Sequence, residues 1–232
     1  MRLLRNDADV FSLDIETVPN DTMIGLLPEP EIKIGNIKDP KKIEEKRIEA
    51  KKKQIENMGL HPETGMICSY AAYGGGIKVG KVIESAPCSI LYSEEISIIK
   101  EILKLLNNCV VVTYNGMNFD FPYIFKRAMI NGIDMSDYDF VLKKFTQRYS
   151  ITPHFDVMQV WSNWNREDWK SLDYLAGMLL GERKTERNYL EYLDLIKSGQ
   201  QDKILIDNMC DAELTYRIFR KMEKYFYNLG DL

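Results

Sequence analysis

Histidine and paired cysteine are what this sequence has least of. It contains two histidines, His61 and His154, and four cysteines, Cys68, Cys88, Cys109 and Cys210, with no CxxC pair among them. That excludes a zinc cluster, and the thiols read as buried and reduced, as in a cytosolic protein. Fourteen glycines and eight prolines are too few for a collagen-like or low-complexity chain. No apolar run approaches the ~20 residues of a membrane-spanning helix. The N-terminal MRLLRNDADV carries Asp7 and Asp9 where a signal peptide has its apolar stretch. The expectation is a soluble, intracellular (cytoplasmic) protein with no membrane partner. Excess positive charge is also missing: the net charge is -4. This excludes a protein that coats nucleic acid by bulk attraction. It leaves room for a nuclease, which commits several carboxylates to metal ions.

What is present is a chain able to fold. With 232 residues, 45% of them hydrophobic and 11% aromatic, it can bury roughly 70% of its unfolded surface without disulfides or a structural metal. Hydrophobic periodicity and turn signals predict strands over 10–15, 66–73, 79–84 and 109–114, the middle two joined at Gly74-Gly75-Gly76. They predict helices over 94–106, opened by Ser93, and over 121–130, stopped at Asn131-Gly132. Further helices follow over 158–164, 172–180 and 207–227. Strands alternating with helices, then helices alone, indicate an α/β domain spanning 1–232. Residues 29–62 depart from the pattern as a charged helical insertion. Within it, 38–53 (KDPKKIEEKRIEAKKK) carries eight basic and four acidic residues and almost no apolar face. It is either a solvated helix laced with pairs such as Glu49–Lys53, or a helix that lays Lys41, Lys42 and Lys46 along a nucleic-acid backbone.

Three stretches carry acids where chemistry could use them. In Asp14-Ile15-Glu16, positions i and i+2 of a strand face the same way, so both carboxylates project together while Ile15 points to the core. Two such acids on an apolar strand are costly unless a cation sits between them. In NGMNFDFPYI (115–124), Asp120 stands at a helix start with Pro122 in the first turn, a position an N-cap would also explain. Asp211-Ala212-Glu213-Leu214 lies inside the last helix. His154 and Asp156 are either a phosphate contact and a metal-supporting acid, or structural groups at the cap of the following helix.

Taken in this order, DIET (14–17), NxxxFDxPYI and DAEL resemble the three exonuclease motifs of the DEDD (DnaQ-like) 3′–5′ exonucleases. Within them the resemblance is closest to the proofreading domain of family-B DNA polymerases and its stand-alone, phage-type relatives. HFDVM (154–158), SLDYLAGMLLG (171–181) and GNIKDPKKI (35–43) extend it over nearly the whole chain. It implies an RNase H-like fold, a mixed sheet of about five strands flanked by helices. It also implies two divalent metal ions, Mg²⁺ or Mn²⁺, held by Asp14, Glu16, Asp120 and Asp211. Asp14 would bridge both, Glu16 and Asp211 would hold the ion that activates water, and Asp120 the other. Asn115 and Phe119 become candidates for touching the terminal nucleotides, as an amide can bond sugar or phosphate and a ring can stack.

The chain departs from the family at one point. A Tyr four residues before the last Asp, or a His five before it, orients the attacking water there; here position 207 is Asp and position 206 is Ile. Asp207 can align the water, take its proton or bind metal as a fifth carboxylate. Alternatively it faces solvent in the first helical turn. The implied activity is 3′–5′ hydrolysis of nucleic acid, with single-stranded DNA as substrate in replication or repair and a replicative polymerase as partner in trans. An exoribonuclease, or a non-catalytic binding module that kept the fold, are the alternatives.

Overall fold

The computed structural model describes residues 10–89, 92–107, 109–138, 142–184 and 189–226. Asp7, Asp9 and the last residue of the 207–227 helix lie outside them. The strands are β1 (Val10–Pro19), β2 (Gly65–Gly74), β3 (Ile77–Val82), β4 (Val110–Thr113) and β5 (His154–Asp156). The helices are α1 (Pro40–Glu56), α2 (Ser93–Leu105), α3 (Asp120–Ile130), α4 (Val157–Trp161), α5 (Leu172–Leu180), α6 (Tyr192–Lys197) and α7 (Asp202–Met222). The strands form one mixed sheet in the order β3-β2-β1-β4-β5. β1 runs antiparallel to β2 and parallel to β4, and β4 is parallel to β5. This is the RNase H-like α/β architecture the sequence implies. Among the described residues no helix is long and apolar enough to cross a membrane.

Alternation along β1 creates the two layers. Phe11, Leu13 and Ile15 face a core built with Ile98, Ile99 and Ile102 of α2 and Phe121 and Ile124 of α3. Val10 belongs to a second core on the opposite face, with Val110, Val112, Phe155, Leu175, Leu214, Ile218 and Phe219. There the small Ser12 donates its hydroxyl to the Ala212 carbonyl at 2.6 Å, which holds α7 directly against β1. A buried ion pair ties the first layer together. Arg127 donates to both oxygens of Glu95 at 2.8 and 2.7 Å, and Glu95 also accepts from the Ile67 amide at 2.9 Å.

Several boundaries differ from expectation. β1 continues to Pro19 because the register shifts between Glu16 and Thr17, letting Thr17, Val18 and Pro19 pair with Ile67, Met66 and Gly65. α7 begins at Asp202, since the fully buried Ile204 extends its apolar face back a turn. β5 and α6 have no counterpart in the sequence reading. α2 starts at Ser93 itself, with no side-chain cap, and Asp120 is the first residue of α3 rather than its cap. All four cysteines are free, but Cys88 and Cys210 are exposed rather than buried.

The charged insertion leaves and re-enters the sheet at one place, since Pro19 and Gly65 are paired neighbours. Its helix α1 is capped by Asp39, which accepts from the Lys41 amide at 3.0 Å, and starts with Pro40. No α1 residue is buried. The base is anchored where the Gly59 carbonyl accepts from the hydroxyls of Thr17 at 2.7 Å and Tyr123 at 3.0 Å. Gly65 is required there: a Cβ would lie 2.3 Å from the Tyr123 hydroxyl oxygen. The arm is thus rooted next to Glu16.

Candidate active site

The β1 residues that face α7 are Ser12, Asp14 and Glu16, and the close approach of α7 brings Asp211 down onto the two acids. One oxygen from each of Asp14, Glu16 and Asp211 lies within 4.8 Å of the others. Asn208, one turn earlier on α7 and fully buried, donates to Asp14 Oδ2 at 2.5 Å and accepts from the Ser69 hydroxyl at 3.0 Å. The Tyr192 hydroxyl donates to Glu16 Oε1 at 3.3 Å. Lys184 forms an ion pair with Asp211, its backbone held by Asp173, which accepts from the Lys184 amide at 3.0 Å.

Asp120 stands beside this cluster. Its Oδ1 accepts from the Ile15 amide at 3.3 Å, and its charge bears on both Asp14 and Glu16. The loop ahead of it is fastened by Asp156. That carboxylate accepts from the amides of Asn115 at 3.1 Å and Met117 at 2.9 Å, and caps α4 through the Gln159 amide at 3.2 Å. Asn115 takes a left-handed conformation (φ 66°) to make this turn.

Burial dominates the electrostatics. Burial first, then the charges of Glu16, Asp120 and Asp211, holds the Asp14 carboxyl well above the usual carboxylate range. Burial and Asp211 push Glu16 up to about 8, and burial takes Asp120 to about 7. Burial raises Asp211 too, against the opposing pull of Lys184. Burial works against the Lys184 ammonium, but Asp211, Asp14 and Glu16 outweigh it and raise its pKa. A cluster of hard oxygen donors whose mutual repulsion is only partly met by one ammonium fits a hard divalent cation.

The other sequence candidates fall as follows. Asp207 is buried, 6% exposed, in the second turn of α7. The solvent-facing, first-turn alternative is therefore excluded, and its charge bears on Asp211 and Tyr192. Phe119 is half-buried against the core and packs on Tyr123, with ring centroids 5.5 Å apart. Asn115 Oδ1 accepts from Asn118 at 2.9 Å. His154 is no phosphate contact. It is buried between the Thr113 hydroxyl at 2.7 Å and the Phe145 carbonyl at 2.5 Å, and burial lowers its pKa to about 4. Lys41, Lys42 and Lys46 lie exposed on α1, Lys46 reaching the Lys33 carbonyl at 3.3 Å. Lys184, Asn208 and Tyr192 were not found from sequence. The Lys in GERKTE, three residues past a Gly helix stop, and the Asn in DNMCD were signals too local to interpret.

Comparison with known proteins places the chain in a family. Residues 66–230 match a family described as a predicted 3′–5′ exonuclease related to the exonuclease domain of PolB. The match takes in Asp120 and Asp211, while Asp14 and Glu16 precede it and join it through the sheet. A DNA polymerase of Methanocaldococcus jannaschii is 31% identical over 166 residues, 67% of this chain and 10% of the polymerase. DNA polymerase 1 of Aeropyrum pernix is 26% identical over 149 residues, 60% of this chain and 15% of the polymerase. The aligned segment is thus a small part of each relative. With most of its sheet and all of its later helices inside the family match, the chain belongs to the 3′–5′ exonuclease family related to the exonuclease domain of PolB.

Proposed function

We propose that this protein is a metal-dependent 3′–5′ exonuclease that removes nucleotides from the 3′ ends of single-stranded DNA. The observation that carries the reading is the convergence of Asp14, Glu16 and Asp211 within 4.8 Å of one another, with Asp120 buried alongside. Asp14, Glu16 and Asp211 would hold divalent ions together with Asp120. When bound, such ions lower the pKa of a water and stabilise the charge on the leaving oxygen. Water attacks the last phosphodiester phosphorus, the bond to the 3′ oxygen breaks, and the end nucleotide departs as its 5′-monophosphate.

The surrounding residues have separable tasks. Asn208 holds Asp14 in place, and Lys184 offsets charge at Asp211. Asp156 holds the loop that carries Asn115 and Phe119, where the terminal nucleotide would rest. Asp207 accepts the proton that the attacking water releases. α1, rooted beside Glu16, would run Lys41, Lys42 and Lys46 along the incoming strand. DNA is favoured over RNA because the similar archaeal proteins are named DNA polymerases; a polymerase working in trans is the partner this suggests.

The test is incubation with 3′- and 5′-labelled DNA and RNA, single- and double-stranded, in Mg²⁺, Mn²⁺ or EDTA. A ladder shortening from the 3′ end of single-stranded DNA, abolished by EDTA, is the expected result. Faster loss of RNA would make it an exoribonuclease, and intact oligonucleotides that remain bound would make it a binding module.

A further inference from the structure

The loop after β4, which carries Asn115 and Phe119, is joined to the loop that leads into α5. The Tyr114 hydroxyl donates to the Lys170 carbonyl at 2.7 Å. Three residues on, Asp173 accepts from the Lys184 amide at 3.0 Å, and Lys184 pairs with Asp211. Lys170 is therefore fixed to the Asn115 loop on one side and, through the first turn of α5, to the Lys184–Asp211 pair on the other. Just before it, the Arg166 guanidinium carbon stands 5.4 Å from the centre of the Trp169 ring. Arg166 is exposed, and Trp169 and Lys170 are half-buried. Neither base has an ion-pair partner among the described residues, and Asp168 in the same turn is occupied by the Asn165 amide at 2.9 Å. Backbone strain collects in these two loops. Of the non-glycine described residues with left-handed φ, Asn115 (66°), Asn163 (50°) and Trp164 (58°) lie in them, and Tyr149 (63°) packs its ring on Trp164 at 5.3 Å. Two left-handed residues in succession, one a tryptophan, carry a cost that a mere connection has no need of.

We propose that Arg166, Trp169 and Lys170 form a subsite for the nucleotide next to the terminal one in a single strand. Its base stacks on the Arg166–Trp169 pair, and the Lys170 ammonium takes its phosphate. This rests on the exonuclease reading, which puts the terminal nucleotide at Asn115 and Phe119, and adds its neighbour. A guanidinium laid on an indole is a flat, weakly hydrated cation on which any base can stack, so the contact is indifferent to sequence. It is not indifferent to strandedness. A base inside a duplex has both faces covered by its neighbours, and freeing one costs unstacking energy. Single-strand preference thus becomes a property of this turn, whereas α1 contributes charge, which a duplex answers equally well.

Binding of a short fluorescein-labelled oligo(dT) in EDTA reads the subsite without cleavage. Arg166→Gln and Trp169→Leu should each raise its Kd by about 5-fold or more, the loss expected when one stacked base goes. Lys170→Gln should reduce the salt slope by about 1. The Kd for a blunt duplex of the same length should move far less, so that the preference for single strands narrows. Wild-type tryptophan fluorescence should be quenched by unlabelled oligo(dT), and the quench should shrink in Trp169→Leu. Wild-type affinity for oligo(dT) in Arg166→Gln overturns the proposal, and so does an equal loss for single strand and duplex. Arg166 is exposed, so its variant decides the matter even where Trp169→Leu fails to fold. A wild-type protein that does not bind oligo(dT) overturns the proposal as well. One that binds in this pattern yet cleaves nothing in Mg²⁺ removes the exonuclease reading and leaves the single-strand subsite standing.

Discussion

The side-chain amide of Asn208 donates to the Asp14 carboxylate at 2.5 Å across 194 residues of sequence. Its carbonyl oxygen is engaged by the Ser69 hydroxyl at 3.0 Å, so one buried side chain bolts α7 to β1 and β2 at the candidate site. Asn208→Leu should remove both bonds and strand the Ser69 hydroxyl, destabilising the fold by about 1–3 kcal/mol. Cleavage should fall further than stability explains, since Asp14 loses its orientation. Denaturant melts and turnover measured side by side on the same preparation would check this.

Each of Asp14→Ala, Glu16→Ala, Asp120→Ala and Asp211→Ala should remove nearly all cleavage, because metal-holding carboxylates contribute orders of magnitude. A variant keeping more than about a tenth of the wild-type rate has no metal role.

Burial of Glu16, and next the charge of Asp211 beside it, give the metal-free protein a pH dependence. The Glu16 pKa is raised from an ordinary 4.5 to about 8. Below 4.5 the group is protonated in both folded and unfolded states and costs nothing. As pH rises toward 8 the unfolded chain ionises more readily, so folding stability falls. In EDTA, Glu16→Gln should match wild type near pH 4.5 and melt higher at pH 8. A melting curve for wild type that stays level across this range contradicts the expectation.

Asp207→Asn preserves shape and removes charge. If Asp207 takes the proton of the attacking water, turnover should drop by about 10²-fold or more while DNA binding persists. Near wild-type turnover from pH 6 to 9 would assign proton transfer to another group.

Reversing Lys41, Lys42 and Lys46 to Glu tests the arm. Binding of single-stranded DNA should weaken and its salt dependence flatten, with turnover at saturation nearly unchanged. Equal salt slopes for variant and wild type would leave α1 as a solvated helix.

Local order in the chain was enough for much of the fold. The period-2 pattern of VFSLDIE already places Asp14 and Glu16 on one face, because strand geometry alone decides it. Pro122 and Asn131-Gly132 bracket α3, since proline in a first turn and glycine after a last turn act within a few residues. Short elements escaped: β5 spans three residues and α6 six, too few for any periodicity to register.

By itself the sequence determined which acids could act together, in what order, and on which kind of element. Tertiary structure decided what surrounds them. Arg127 and Glu95 meet 32 residues apart in the core, Tyr192 reaches Glu16 across 176 residues, and Lys184 turns onto Asp211. Strand alternation and helix capping are local properties of the backbone, written in neighbouring residues. Which donors meet a carboxylate depends on how closely α7 settles on the sheet. That is set by small side chains such as Ser12, and by the need of every buried polar group for a partner.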